Sequence, residues 1–221
     1  TFNWPRSIKG SREVWPELKD ALANSARLGA AATTVGVSIG LTIGIFAALR
    51  PGGKRDVAVN TVAFVGISIP PYISSILLQL LFAVYWSNWF GSTLFPTSGV
   101  YPPGQDGFDL VLMLKHMTLP TVVVAIQIIA VYSRYMRSSL LDVLNSDYMR
   151  TARSKGLSEF RVLMRHGVRN ALIPVITIAA LDIGVIVGGL IITENIFDYP
   201  GTGKYFLSAF ANGDFPLLMP L

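Results

Sequence analysis

Long apolar runs alternate along this chain with short clusters of basic residues, and the alternation predicts helices that cross a membrane. A crossing helix needs roughly 20 apolar residues. Residues 26–49 carry one charge, Arg27, at the start of the run, and 57–86 carry none. Residues 117–133 are uncharged, with the helix extending to about 137, and 171–193 hold a single charge, Asp182. Another apolar run starts at 215–221. Pro70-Pro71 must break and kink the 57–86 run, with Ser68, Ser74 and Ser75 available to re-satisfy the freed carbonyls. Pro120 suits a first helical turn, where its missing N–H costs little. Gly36, Gly40 and Gly44 follow a small-xxx-small pattern that admits a close backbone, either within the chain or from another copy.

Composition sharpens the picture. Hydrophobic residues make up 52% of the 221 and charged residues 14%, against roughly a quarter in soluble domains. Mean hydropathy is +0.52. Ordinary globular folds, disordered tails and disulfide scaffolds are excluded, and uncharged runs of this length are rare as buried helices of a large soluble protein. The absence of cysteine removes thiolate zinc sites, iron–sulfur clusters and thiol catalysis.

Charge position sets the expected orientation. Arg50, Lys54 and Arg55 lie in one loop; Arg134, Arg137, Arg150, Arg153, Lys155, Arg161, Arg165 and Arg169 lie in another. Together they are eleven of the 18 basic residues, so both loops belong in the cytoplasm. Loops 87–116 and 194–214 hold one lysine each, Lys115 and Lys204, and belong outside. Residues 1–20 then form an extracytoplasmic segment, where Glu13, Glu17 and Asp20 partly balance Arg6, Lys9, Arg12 and Lys19. The net charge of +5 reflects cytoplasmic loops beside anionic membrane lipid, not nucleic acid.

The cytoplasmic segment 138–172 is structured. Leu140, Leu141 and Leu144 lie at helical spacing, followed by Tyr148 and Ala152. Gly156 reads as a helix stop, because glycine takes the left-handed cap at low cost. Ser158 is placed to cap a new short helix with Glu159 in its first turn. Phe160, Leu163 and Met164 form an apolar stripe, Arg161, Arg165 and Arg169 lie along another face, and Pro174 begins the next span. Such a helix either lies in the headgroup region or docks into a groove on a cytoplasmic partner.

Asp182 is the lone mid-span carboxylate. It is expensive to bury, so it faces either a water-filled translocation path or a partner group on a neighbouring helix. Gln127 carries the same pair of readings. No catalytic site is evident. PGTGKYF at 200–206 imitates a phosphate-binding loop, but Asp198 stands where glycine is needed and Tyr205 where Ser/Thr is needed, so a Pro200-Gly201 turn is expected. His116 and His166, the two histidines, fall on opposite sides of the membrane, leaving no histidine metal cluster or triad.

The run YMRTARSKG followed by RHGVRNALIPVIT resembles the cytoplasmic signature loop of ABC-importer permeases, specifically the dipeptide/oligopeptide/nickel group. Arg150-Thr151-Ala152, three residues, then Gly156 corresponds to that loop's Glu-Ala-Ala-x-x-x-Gly core. Arg150 in place of the acidic residue, and a proline (Pro174) further downstream than in sugar permeases, are typical of the peptide group. The similarity extends through ISIPPYISSILLQLLF at 67–82 and ENIFDYPGTG at 194–203, and covers residues 20–221. It implies an all-α, polytopic transmembrane bundle of the type I importer permease kind, in a prokaryotic inner or plasma membrane. On that map 21–221 is the permease domain and this chain lacks the first helix and most of the last. The resemblance also implies a second homologous permease subunit, two cytoplasmic ATPases and an extracytoplasmic substrate-binding protein. ATP and Mg would be bound by the ATPases; this chain would hold no cofactor and catalyse no reaction. The helix after Gly156 would be the coupling helix, with Ala152, Gly156, Ser158, Glu159, Phe160, Arg161, Leu163, Met164 and Arg165 at the ATPase contact. Two other readings remain at this stage: a secondary transporter, with Pro70-Pro71 and the glycines as broken helices, and a membrane scaffold without transport.

Overall fold

The computed structural model describes residues 14–101, 109–187 and 190–214, with the side chains of 183–187 excepted. The stretch at 215–221 and the basic residues Arg6, Lys9 and Arg12 lie outside the described residues. Among those described, every regular element is helical. Helix α1 is Val14–Ala48, α2 Lys54–Ser68, α3 Pro71–Phe90 with a π turn at Leu80–Tyr85, and α4 Leu110–Leu144. A short α5, Asp147–Ser154, precedes α6 (159–187), and α7 (Ile191–Ile196) and α8 (Thr202–Asn212) follow.

Among the described residues, three helices are long and apolar enough to cross a membrane: α1, α3 and α4. Only 6% of the most apolar stretch of α3 is buried within the protein. Val57, Val62, Phe64 and Leu77 are also among the exposed large side chains. Apolar surface on this scale needs lipid or a partner around it.

The helices exceed the expected spans. α1 begins at Val14, so part of the expected extracytoplasmic segment is helical. α4 begins at Leu110, which puts Pro120 in its interior instead of its first turn. Its far end continues past 137 to Leu144, so the loop expected at 138–172 shrinks to the α5 corner. The 57–86 run is broken as predicted: α2 stops at Ser68, Ile69 is extended (ψ 114°), and Pro71 opens α3. A residue before proline is pushed out of the helical region, which is what Ile69 shows.

The chain divides into two compact units. The first, residues 1–32, 70–124 and 184–221, has a core of Leu28, Met113, Met117, Leu119, Val123, Phe197 and Tyr199. Gln79 Nε2 in α3 donates to Thr97 O and Ile196 O. The second unit, 33–69 and 125–183, packs Ala48, Tyr132, Met136, Leu140, Val168, Ala171 and Val175. Its α1 glycines meet α4 closely. A Cβ on Gly36 would lie 2.7 Å from Ile128 Cβ, and one on Gly44 2.5 Å from Ser133 O. The small-residue stripe is therefore spent inside the chain.

Candidate functional site

The predicted coupling segment forms a corner within the second unit. Helix α5 is held by one inward face, with Met149 and Ala152 packed on Val162. Ala152, expected at the ATPase contact, is thus buried in the packing that supports the corner. Gly156 takes φ +76° with open space around it, the left-handed stop expected of it. Ser158 sits at the N-cap in extended conformation, but its side chain makes no cap hydrogen bond. Glu159 instead reaches back across the turn, accepting from Arg153 Nε at 3.1 Å. The apolar packing holds α5 against the next helix, and this exposed pair spans the turn between them.

That next helix is not the short separate element expected. It runs without interruption from Glu159 through a π segment, Val162–Val168, into Arg169–Val187. Pro174 lies inside it, where its missing N–H leaves one carbonyl without a helical donor and does not stop the helix. The expected stripe also splits. Leu163 is half-buried against the second-unit core, whereas Phe160 is 75% exposed and Met164 43%. The π segment, seven residues long, rotates the face and parts Leu163 from its neighbours. Arg161, Arg165 and Arg169 are exposed. The outward surface of the corner therefore consists of Phe160 and Met164 among arginines, with Tyr148 and Arg150 on α5.

Two side chains expected on the translocation path bond to neighbouring helices. Tyr132 O–H donates to Asp182 Oδ2 at 2.6 Å, linking α4 to α6. Gln127 Nε2 donates to Gly66 O at 2.9 Å and Ile69 O at 3.1 Å. Proline at 70 deprives Gly66 O of its helical donor, so Gln127 supplies from α4 the hydrogen bond that Pro70 removes. Ser68, Ser74 and Ser75, expected in that role, donate to Phe64 O and Pro71 O within their own helices. Both side chains thus make the helix-to-helix bonds of the second alternative.

Asp56 went unremarked in the sequence. It is 3% exposed, at the start of α2, and accepts both Nε and Nη2 of Arg137, the latter at 2.7 Å. Gly52 N and Asn60 Nδ2 complete its shell. The Arg137 guanidinium leads in holding this carboxyl down to about 2. The pair closes the 50–56 loop onto α4.

ENIFDYPGTG forms a second constellation, in the first unit. Glu194 is fully buried, and its carboxylate accepts from Ser25 Oγ (2.5 Å), Gly203 N (2.7 Å) and Lys204 N (3.2 Å). Thr202 N donates to Ser25 Oγ at 2.8 Å. A carboxylate from the chain itself thus occupies the N-terminus of α8, where a phosphate-binding loop would seat its phosphate. Glycine is required at 201 because a Cβ would overlap the Glu194 carboxyl, and at 203 because it would lie 2.5 Å from Ile191 Cα. The chain turns at Phe197–Asp198, with Asp198 at φ 51°, and again across Pro200, where Gly201 N donates to Tyr199 O at 2.8 Å, the expected Pro200-Gly201 turn. Burial pushes the Tyr199 phenol up to about 12, and its O–H donates to Asn24 O. The spacing of Glu194 from Gly201 and Gly203 was the available signal; its partner Ser25, remote in sequence, was not.

Residues 40–221 match the family described as binding-protein-dependent transport system inner membrane component. The chain belongs to that family and is a multi-pass inner-membrane protein of a prokaryote. It is 39% identical over 220 residues to the dipeptide transport system permease protein DppB of Bacillus subtilis, covering 99% of this chain and 66% of that one. With the oligopeptide transport system permease protein AppB of the same organism it shares 38% over 200 residues, covering 90% and 61%. The DppB of Escherichia coli is 32% identical over 229 residues, covering 96% of this chain and 67% of that protein. The chain spans about three-fifths of the length of the first of the curated relatives it matches. A crystal structure of an amino acid ABC transporter superposes with a TM-score of 0.62 at 14% identity, covering 93% of this chain and 84% of that one, which establishes a shared fold.

Proposed function

We propose that the chain is the membrane-spanning permease subunit of an ATP-driven importer, and that it translocates short peptides delivered by an extracytoplasmic binding protein. The observation that carries the reading is the corner at 147–165. It presents Phe160 and Met164 among arginines on a support fixed by Met149, Ala152, Val162 and the Arg153–Glu159 pair. A docked helix end must transmit force, so a rigidly aimed apolar pair suits it better than a loose loop would. Relatives named for dipeptide and oligopeptide transport support the cargo class. A second permease and two ATPases complete the machine, with ATP and Mg held by the ATPases. Neither a secondary transporter nor a scaffold accounts for this corner.

The test is copurification of the ATPase with the full-length permease, alongside peptide uptake in reconstituted vesicles. A fully buried apolar side chain contributes on the order of 1.5–3 kcal/mol. Phe160→Asp with Met164→Asp is therefore expected to lose most ATPase recovery and all uptake. Full retention of both would remove the coupling role.

A further inference from the structure

A cavity of about 550 Å³ opens between α2 and α4, lined by Asn60, Ile67, Val131, Arg134, Tyr135, Arg137 and Ser138. Its charge balance is uneven. Arg137 is neutralised by Asp56, and Asn60 Nδ2 is committed to the same carboxylate. Arg134 is exposed and, among the described residues, forms no ion pair or side-chain hydrogen bond. The hydroxyls of Tyr135 and Ser138 are likewise unpartnered among the described residues. One uncompensated guanidinium with two free hydroxyls beside it is a donor set for an oxyanion.

The walls indicate which oxyanion. Ile67 lies two turns along α2 from Asn60, and Val131 one turn along α4 from Arg134, both away from the basic cytoplasmic ends of these helices. The lining therefore changes from charged to apolar over the depth that separates headgroups from acyl chains. Tyr135, next to Arg134, is 49% exposed and is an amphipathic aromatic of the kind enriched at membrane interfaces. Beside the cavity, Phe64 and Ile67 offer α2 surface for a hydrocarbon chain. A soluble anion would use the donors and leave this apolar wall wet; a phospholipid uses both.

We infer that this cavity is a binding site for an anionic phospholipid of the cytoplasmic leaflet, whose phosphate is held by Arg134, Tyr135 and Ser138 and whose acyl chain lies against Ile67 and Val131. The Asp56–Arg137 pair positions the site by fixing α2 to α4 and by keeping Arg137 from attracting a second anion. The inference rests on the membrane placement of α2 and α4 and stands apart from the transported cargo and the ATPase contact.

The full-length permease, purified in its complex, is to be titrated with phosphatidylglycerol and with phosphatidylcholine of the same chains, retained lipid being read by native mass spectrometry. Wild type is expected to retain phosphatidylglycerol preferentially. Arg134→Gln should weaken that retention about fivefold, the effect of removing one basic residue near a lipid surface. Arg134→Lys keeps the charge and should stay within about twofold of wild type, which separates charge from any folding defect. Arg55→Gln removes a basic residue outside the cavity and should leave retention unchanged. Equal retention by Arg134→Gln and wild type would overturn the site. Displacement of the lipid by millimolar inorganic phosphate would make it a soluble-anion site, and displacement by a dipeptide would make it a cargo site; either outcome overturns the inference as well.

Discussion

At the scale of single residues, the informative polar groups are those whose hydrogen bonds are fully accounted for. Glu194 is buried with donors from Ser25, Gly203 and Lys204 around it, so a change there leaves several groups unpaired at once. Glu194→Ala is expected to cost about 3 kcal/mol or more, each stranded group contributing about 1–3, and Glu194→Gln clearly less. Gly203→Ala should cost about 1–3 kcal/mol by overpacking against the Ile191 backbone. Thermal unfolding of the purified complex orders these three, and an unchanged Gly203→Ala would contradict the close approach. Asp56 makes a pH prediction of definite sign. Its folded value, about 2, lies below the ordinary 3.8, so its contribution is fully present above about pH 5 and is lost as pH falls through 3.8 toward 2. The window is worth about 2 kcal/mol. Asp56→Asn should abolish that acid-dependent step and lower stability at neutral pH, because Arg137 loses its partner.

At the scale of elements, breaks and stops were more legible than their repairs. Pro70-Pro71 announced the end of α2 because proline lacks an N–H, and Gly156 announced the end of α5 because a left-handed residue is cheapest as glycine. Both are local causes. The repair of the Pro70 break by Gln127 is not local: a mid-span glutamine reads equally as a path residue until α4 is seen beside α2. Continuity through 159–187 was hidden for a related reason. Arginines, His166 and Pro174 mark a boundary by composition, but the packing of Val162, Leu163, Val168 and Ala171 carries the helix across it. If Gln127 serves the break, Gln127→Leu should destabilise the protein by about 1–3 kcal/mol through the exposed Gly66 and Ile69 carbonyls. If the Tyr132–Asp182 bond is a helix clip, Tyr132→Phe and Asp182→Asn should each be modest and their combination non-additive. The coupling expected is about 0.6 kcal/mol, the usual scale within membranes. Strict additivity in the double-mutant cycle would return Asp182 to the path reading.

At the scale of the whole molecule, orientation is what the distribution of charge argues for, and helix positions sharpen the argument. The basic corner at Arg150–Arg165 and the Arg50–Arg55 loop both belong to the second unit, while Lys115 and Lys204 belong to the first. All eleven residues of the two basic loops thus fall in the second unit, while the first also holds the five basic residues of 1–32. Positive charge is held on the cytoplasmic side because moving it across costs energy against the membrane potential and the anionic inner leaflet. These 221 residues contain no cysteine, so they add no background to a single introduced one. Ser92, Ser158 and Ser208 are all exposed, and each accepts Cys with little change in size. In intact cells an impermeant maleimide should label Ser92→Cys and Ser208→Cys but not Ser158→Cys, which should react only after the membrane is opened. Labelling of Ser158→Cys from outside would invert the protein, move the Phe160–Met164 surface away from cytoplasmic ATPases, and place Arg134 in the wrong leaflet for the lipid assigned to it.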